Sequence, residues 1–392
     1  MTAHVEEPGP AFFTDPHRFY RRWGEHGPIT RVRFPDGKVG WVVTGYAEGR
    51  AALADPRLRK SGANARWMAS GPDAPPMPPG RPRRSHMLDS DPPDHTRLRR
   101  LVTTAFTAGA VERLRPRIVE ITGALLDRMS GELDLMPAFA VPLPVTVIGE
   151  LLGVAEADRT EFRRLTGAMT LGPSQETLAP LMEFLAALVA AKRAGPADDV
   201  LSALVRARDD DDRLDEDELV RMAFLLLFAG HETTVNLIGN GVYALLSAPE
   251  QLAALRADPA SVPAAVEEFL RFEGPVGFAT LRYAGEPMEI AGSAVAEGEF
   301  VHVALGAANR DPARFADPDR LDVGRSPTGH LAFGHGIHHC LGAPLARIEG
   351  EIALAALLER FPGLRLADPE FTPDWVEGFR MRGLRALPVV AE

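Results

Sequence analysis

Phe333-Gly334-His335-Gly336-Ile337-His338-His339-Cys340-Leu341-Gly342 holds the only cysteine among 392 residues. A single thiol cannot close an intrachain disulfide, and alone it cannot complete a zinc site. Three glycines around it let a backbone come close to something flat or bulky. Directly after it, Leu341, Leu345, Ile348 and Ile352 recur at i, i+4, i+7 and i+11, one apolar stripe of a helix. Pro344 is tolerated only in the first turn of such a helix. Cys340 therefore stands at or just before a helix N-terminus, where free N–H groups and the dipole favour a thiolate. Three fates are open to it. It is an inert thiol acting as a small hydrophobe, a zinc ligand beside His335, His338 and His339, or a lone thiolate ligand or nucleophile. Four zinc candidates within six residues cannot easily converge on a tetrahedron, and no second Cys/His pair has zinc-finger spacing. The neighbouring glycines and histidines argue against the inert thiol.

Working outward, 45% of the residues are hydrophobic, which supports a large core, and the net charge is -11. That charge argues against a general nucleic-acid binder. Lysine occurs only at positions 38, 60 and 192, while arginine, alanine, glycine and proline abound, as in GC-rich genomes. One cysteine fits a reducing cytosol. Met1 to Pro10 is polar and acidic, unlike a signal peptide. No apolar run approaches the ~20 residues of a membrane span; the longest, Met222 to Gly230, stops at His231 and Glu232. The composition predicts a cytoplasmic protein with no membrane segment.

Gly40 to Val43 reads as strand. Ser61 to Pro93, rich in Pro, Gly, Asp and Arg, reads as a long irregular loop of the kind that carries function. Helical spacing predicts helices over His95 to Phe106, Val111 to Met129, Val145 to Leu152 and Leu178 to Arg193. The acidic cluster Asp209 to Asp212 reads as a solvated turn. A helix of roughly 30 residues follows, opened by Asp215 with its capping partner Glu218 and running to about Leu246. Pro263 to Phe272 is helical. Gly285 to His302 alternates as short strands with turns at Gly292 and Gly298, and Asn309 to Thr328 is polar coil. No repeat or linker splits the chain. The prediction is one mainly α domain, residues 1–392, with a small β region.

Two further motifs sit on these helices. Ala229-Gly230-His231-Glu232-Thr233-Thr234 interrupts the long helix with a glycine that costs about 1 kcal/mol relative to alanine. A hydroxyl there can bond back to the carbonyl four residues earlier. Ala229, Gly230 and Thr233 form a small face with one hydroxyl and an adjacent acid. It suits either a groove that receives a small molecule and protons, or helix packing beside a solvated Glu. Glu268-Phe269-Leu270-Arg271 is an i, i+3 pair, which on a surface contributes about 0.3 kcal/mol.

The three motifs together resemble the cytochrome P450 superfamily, the haem-thiolate monooxygenases. The match is Phe-x-x-Gly-x-His-x-Cys-x-Gly at 333–342, Ala-Gly-x-Glu-Thr at 229–233 and Glu-x-x-Arg at 268–271, with the last about 70 residues before the cysteine. It extends from about Phe12 to the end and includes Asp91-Pro92-Pro93-Asp94-His95-Thr96-Arg97-Leu98-Arg99. The likeness is to soluble bacterial enzymes, particularly actinobacterial ones that tailor macrolides and other polyketides. It implies the triangular single-domain fold of that family, with haem b (iron protoporphyrin IX) between the long helix and the cysteine loop.

The resemblance assigns the iron ligand to Cys340, whose electron donation favours O–O cleavage. It assigns sulfur shielding to Phe333, close haem approach to Gly334, Ala229 and Gly230, and propionate contacts to His95, Arg99, Arg282 and His338. Thr233 would meet O2 and Glu232 would feed protons. Glu268 and Arg271 would pair with Arg320 or Arg325. The pocket candidates are Trp67, Met87, Phe228, Val276, Phe278 and Ala279, with Ser61 to His86 as a roof and Thr166 to Pro180 as a second lid. The implied reaction is hydroxylation or epoxidation of a large apolar natural product, a macrolide or other polyketide first, a terpene or steroid second. Electrons would come from a separate ferredoxin and its NAD(P)H-dependent reductase, met by arginines such as Arg97, Arg100 and Arg347, with the enzyme a monomer. A non-catalytic relative that activates another enzyme would be expected to lose the Cys or the Thr. A peroxide-driven enzyme would replace the Glu–Thr pair. This chain keeps all three residues.

Overall fold

Val39-Gly40-Trp41-Val42-Val43 forms the central strand of a six-stranded sheet because its side chains alternate between two apolar surroundings. Val42 packs with Phe12, Trp23, Phe34 and Phe278, while Val43 packs with Leu53, Ala284, Val301 and Val303. The computed structural model describes residues 5–35, 37–60, 86–170, 174–209, 212–326 and 329–392. Their contacts group into two compact units, each assembled from separate stretches of chain.

The first unit comprises Met1–Arg83, Asn240–Cys340 and Thr372–Arg385. Its sheet runs Val5–Glu6, Ile29–Arg33, Val39–Val43, Phe300–Val303, Arg282–Ala284 and Leu58–Arg59 in spatial order. Val301 sits parallel to Trp41 on one side and antiparallel to Arg282 on the other. Met288–Ile290 and Ser293–Val295 form a hairpin whose turn uses Gly292 at φ +78°. A left-handed φ there favours glycine. The helix Val262–Phe272 buries its Glu-x-x-Arg pair completely. Arg271 donates Nε and Nη2 to the Glu268 carboxylate, both at 2.7 Å. It is Arg325, at 3.3 Å, that joins them by its side chain; Arg320 contributes its carbonyl. A surface pair of this spacing is worth tenths of a kcal/mol; this one is a core device.

The second unit comprises Arg84–Gly239, Leu341–Phe371 and Ala386–Glu392. It holds the helices Asp94–Ala105, Arg115–Leu126, Pro142–Leu151, Arg159–Thr170, Gln175–Ala194, Val200–Arg206 and Ala343–Arg360, with a three-stranded sheet of Arg365–Leu366, Pro388–Ala391 and Gly131–Asp134. Arg115–Leu126 packs against both Ala343–Arg360 and Pro142–Leu151. The long helix Glu216–Leu246 begins as predicted. The Asp215 side chain accepts from the Glu218 N–H at 2.9 Å, and the Glu218 carboxylate accepts from the Asp215 N–H at 3.0 Å. These bonds satisfy two N–H groups at the end of the helix.

Several sequence expectations change. Val111 to Met129 is two helices, Ala108–Glu112 and Arg115–Leu126, because Pro116 is accommodated in the first turn of a new helix. Asp209 pairs with Asp212 at the end of a short antiparallel ladder of Arg208–Asp209 with Asp212–Arg213, and the two residues between them lie outside the described ones. The described part of the second lid is mostly helix: Thr166 to Thr170 ends one helix, and Gln175 opens the next behind a Ser174–Thr177 capping box. Pro180 falls inside that helix. His231 does not end the apolar stretch, since it is 4% exposed. The long helix contains an 18-residue window of mean hydropathy 1.3, apolar enough by composition to cross a membrane. Two-thirds of that window, 67%, is buried inside the protein, which marks a core helix.

Candidate functional site

In the first unit the cysteine loop is built by backbone hydrogen bonds. The Leu331 N–H donates to Asn309 Oδ1 at 2.6 Å, the Gly334 N–H to Leu331 O at 2.8 Å, and the Cys340 N–H to Phe333 O at 2.9 Å. Gly334 and Gly336 both have left-handed φ, +70° and +74°. A Cβ on Gly336 would also stand 2.8 Å from Leu53 O, so its glycine serves packing onto the helix Tyr46–Ala54. Gly334 has no such neighbour, and its requirement is conformational. One turn, Gly336–His338, carries half-buried His338, and the Cys340 thiol is exposed. The following helix is Ala343–Arg360, with Gly342 at its N-cap and Pro344 in its first turn. Cys340 thus lies two residues before the cap.

Arg282 is 4% exposed, and its Nη1 donates to Thr280 O at 2.7 Å. Val276 and Ala279 are half-buried against the sheet core. Phe278 departs from expectation. It is 2% exposed, with its ring 5.8 Å from Tyr20 and 6.2 Å from both Phe379 and His302. Its side chain is spent in an aromatic core and is not a pocket wall. Val276 and Ala279 pack instead against the cluster of Val43 and Val301, while the Phe278 ring joins Phe12 and Tyr20; the stretch is irregular around Gly277, so no sequence period indicates which way each side chain turns.

In the second unit, His95 opens the helix Asp94–Ala105 at 3% exposure, and half-buried Arg99 follows one turn later on the same face. Arg97 is not a free docking cation, because its guanidinium is paired with the Glu218 carboxylate. Met87 is buried in the short turn Met87–Asp89, and Trp67 lies outside the described residues, as does nearly all of the expected roof.

The middle of the long helix carries two adjacent back-bonded hydroxyls. Thr233 Oγ1 donates to Ala229 O at 2.7 Å, and Thr234 Oγ1 to Gly230 O at 3.0 Å. Gly230 lies close under Ile148: a Cβ there would stand 3.1 Å from Ile148 Cδ1, so that side chain would have to give way slightly. Phe228 stacks on Phe224 at 5.8 Å. His231 Nδ1 lies 2.9 Å from Leu227 O, and burial lowers its pKa, keeping the ring neutral. Burial alone pushes the Glu232 carboxyl upward. A carboxyl biased toward its protonated form, next in sequence to a hydroxyl, can hold and release a proton.

Glu349 escaped the sequence reading, which mapped only the apolar residues of its helix. It follows Ile348 on the buried side of Ala343–Arg360, is 2% exposed, and its Oε2 has no hydrogen-bond partner. Burial pushes its pKa from 4.5 up to about 8. The folded protein therefore keeps a proton that the unfolded chain releases. The associated stability is complete below the ordinary carboxyl pKa of 4.5 and is lost as pH rises toward about 8, at about 1.4 kcal/mol per pH unit. Glu349→Gln, which cannot ionise, should flatten that fall and leave the variant more stable than the parent above neutrality. Melting temperatures followed from acid to alkaline pH test this; parallel profiles would refute it.

Among the described residues, no group of three or more His, Cys, Asp or Glu could hold a metal ion. The zinc reading therefore has no ligand set there. A lone exposed thiol two residues after half-buried His338 is instead suited to ligating the iron of a planar macrocycle. Comparison with known proteins agrees. The cytochrome P450 family model matches residues 176–379. Cytochrome P450 107B1 of Saccharopolyspora erythraea is 50% identical over 97% of this chain and 96% of its own length. The 6-deoxyerythronolide B hydroxylase of the same organism is 44% identical over 99% of both. Among solved structures, the tirandamycin C-bound monooxygenase TamI superposes with a TM-score of 0.87 at 48% identity, covering 99% of this chain and 100% of that one.

Proposed function

The chain belongs to the cytochrome P450 family of haem b monooxygenases, and on that premise we propose that it hydroxylates or epoxidises a macrolide or related polyketide in the cytoplasm. The observation that carries this reading is likeness over nearly the whole chain to a 6-deoxyerythronolide B hydroxylase and to a tirandamycin-binding monooxygenase. The balanced reaction consumes the substrate C–H bond, O2, two electrons and two protons, and yields the alcohol and water. Bound haem supplies the redox chemistry; the protein positions the substrate and controls protons.

In this proposal Cys340 provides the thiolate, shielded by Phe333 in a loop opened by Gly334. His95, Arg99, Arg282 and His338 provide charge-assisted bonds to the haem carboxylates. Ala229 and Gly230 keep the helix surface low, and Glu232 passes protons to Thr233. Val276, Ala279, Phe228 and Met87 remain pocket candidates. The electron donors are a ferredoxin and its NAD(P)H-dependent reductase, and the enzyme is a monomer. One cooperative domain over 1–392 is consistent with a chain that passes between the two units after Arg83, Gly239, Cys340, Phe371 and Arg385.

The substrate reading is tested by spectral-shift titration of the purified holoenzyme with 6-deoxyerythronolide B, other polyketides, terpenes and sterols. A low-to-high-spin shift confined to terpenes or sterols would overturn it. The proton assignment is tested by Thr233→Ala. Loss of a general-acid relay typically costs about 10²-fold or more in the step it serves. The variant should keep its haem and still consume NAD(P)H, but product per electron pair should fall sharply. Full coupling would remove Thr233 from the role.

A further inference from the structure

The stretch 275–279 is held between two partners within the first unit. On one side the Ala279 N–H donates to Val303 O at 2.9 Å. On the other, the hairpin over 374–385 bonds to it twice: the Gly277 N–H donates to Arg380 O at 2.8 Å, and the Arg382 N–H to Pro275 O at 2.9 Å. Val276 is bridged to Met381. Such a short pairing is weakly specified in register, and a slip of one residue would exchange the two faces of the stretch. A slip would turn Ala279 toward the side that buried Phe278 now occupies and would take Val276 off its bridge to Met381.

A polar cluster sits at the open end of this pairing. Glu273, which caps the Glu-x-x-Arg helix, accepts from Arg382 Nε at 3.0 Å and from Arg310 Nη2 at 3.3 Å, with His17 Nε2 at 3.4 Å. Arg382 also donates to Phe13 O and Thr14 O, and lies 3.4 Å over the Trp375 ring. Fully buried Asn240, on the long helix, donates from Nδ2 to Glu273 O at 3.1 Å and to Arg382 O at 2.9 Å. One amide thereby measures both strands of the pairing at the same level. Burial opposes ionisation of Glu273, but His17, Arg382 and Arg310 outweigh it and hold the carboxyl well below its usual range.

We propose that Asn240, Glu273 and Arg382 form a positioning clamp that fixes the register of 275–279 against the hairpin, and so determine substrate specificity without touching substrate. This rests on the reading of Val276 and Ala279 as pocket residues. The clamp aims two half-buried side chains, and misplacement of about 1 Å in such a wall costs up to about 10²-fold in a positioned step.

The test titrates purified holoenzyme with imidazole and with 4-phenylimidazole. Both can place a nitrogen on iron, but only the second presses a ring against the pocket wall. Glu273→Gln and Arg382→Lys should weaken 4-phenylimidazole about tenfold, roughly 1.4 kcal/mol, while imidazole affinity and haem content stay as in the parent. Glu273→Asp, which restores the charge, should recover part of the loss. Equal changes for both ligands, or none for either, would overturn the clamp. Failure of both variants to accumulate as holoenzyme would make the cluster a folding device and overturn it as well. A parent protein that gives no spectral shift with imidazole would instead overturn the haem-site reading on which the clamp depends.

Discussion

Cys340→Ala abolishes the thiolate Soret band of the reduced, carbon-monoxide-bound protein altogether. The loss should be complete because the chain has no second cysteine to substitute for the first. The fold should survive. The thiol is exposed, and the loop is held by the backbone N–H of residue 340 on Phe333 O, which alanine retains. The next helix starts at Ala343 with Gly342 at its N-cap. Substitutions at exposed positions away from such features change stability by about 0.5 kcal/mol or less, so circular dichroism and melting should match the apoprotein of the parent. His338 and His339 flank the position. If one of them takes the iron, the band moves to that of a histidine-ligated haem, which is still loss of the thiolate signature. A thiolate band in the variant would disprove the assignment of Cys340.

The same residue shows what was legible in the sequence and what was not. Glycines, a proline in a first turn and an apolar stripe at helical spacing are local signals, and they placed the cysteine just ahead of a helix. The capping pair Asp215 and Glu218 was legible for the same reason. What failed needed tertiary information. Phe278 is large and follows a family motif, which suggests a pocket wall, but its ring belongs to a cluster with Phe12, Tyr20 and Phe379 that only the tertiary fold assembles. For Gly230 the sequence leaves a ligand groove and helix packing both open, and only the fold shows that Ile148, from a helix more than eighty residues upstream, lies against it. Arg97 is a candidate cation for a redox partner by sequence, and only the fold shows that a carboxylate from the start of the long helix pairs with it. Glu349 was passed over because a lone glutamate on a helix is ordinarily solvated, and burial is invisible until the neighbouring helices are in place.

The pair Glu268 and Arg271 makes the largest difference between a local and a tertiary reading, and its disruption should be the most damaging change to the fold. Glu268 is 0% and Arg271 1% exposed. Besides its two bonds to Glu268, Arg271 donates to the carbonyls of Asn309, Pro318 and Arg320 at 3.1, 2.8 and 3.2 Å. It therefore organises the coil that leads to the cysteine loop. Arg271→Ala leaves a buried carboxylate with only Arg325 and the Asp322 N–H, and removes a donor from three carbonyls, that of buried Asn309 among them. Removing one partner of a buried ion pair costs about 3–5 kcal/mol, against a total stability of about 5–15 kcal/mol for ordinary domains. Arg271→Lys keeps the charge, but one ammonium cannot reproduce a fork that serves two carboxylate oxygens and three carbonyls. It should fall between the parent and the alanine variant. The double variant Glu268→Ala/Arg271→Ala should be less damaged than the sum of the single ones, because the buried carboxylate and its guanidinium partner leave together. Denaturant unfolding of the parent, Glu268→Ala, Arg271→Ala, Arg271→Lys and the double variant measures all of this. A shift below about 0.5 kcal/mol in Arg271→Ala would mean that the pair contributes no more than a solvent-exposed i, i+3 contact, and that the coil before Cys340 is ordered by something else.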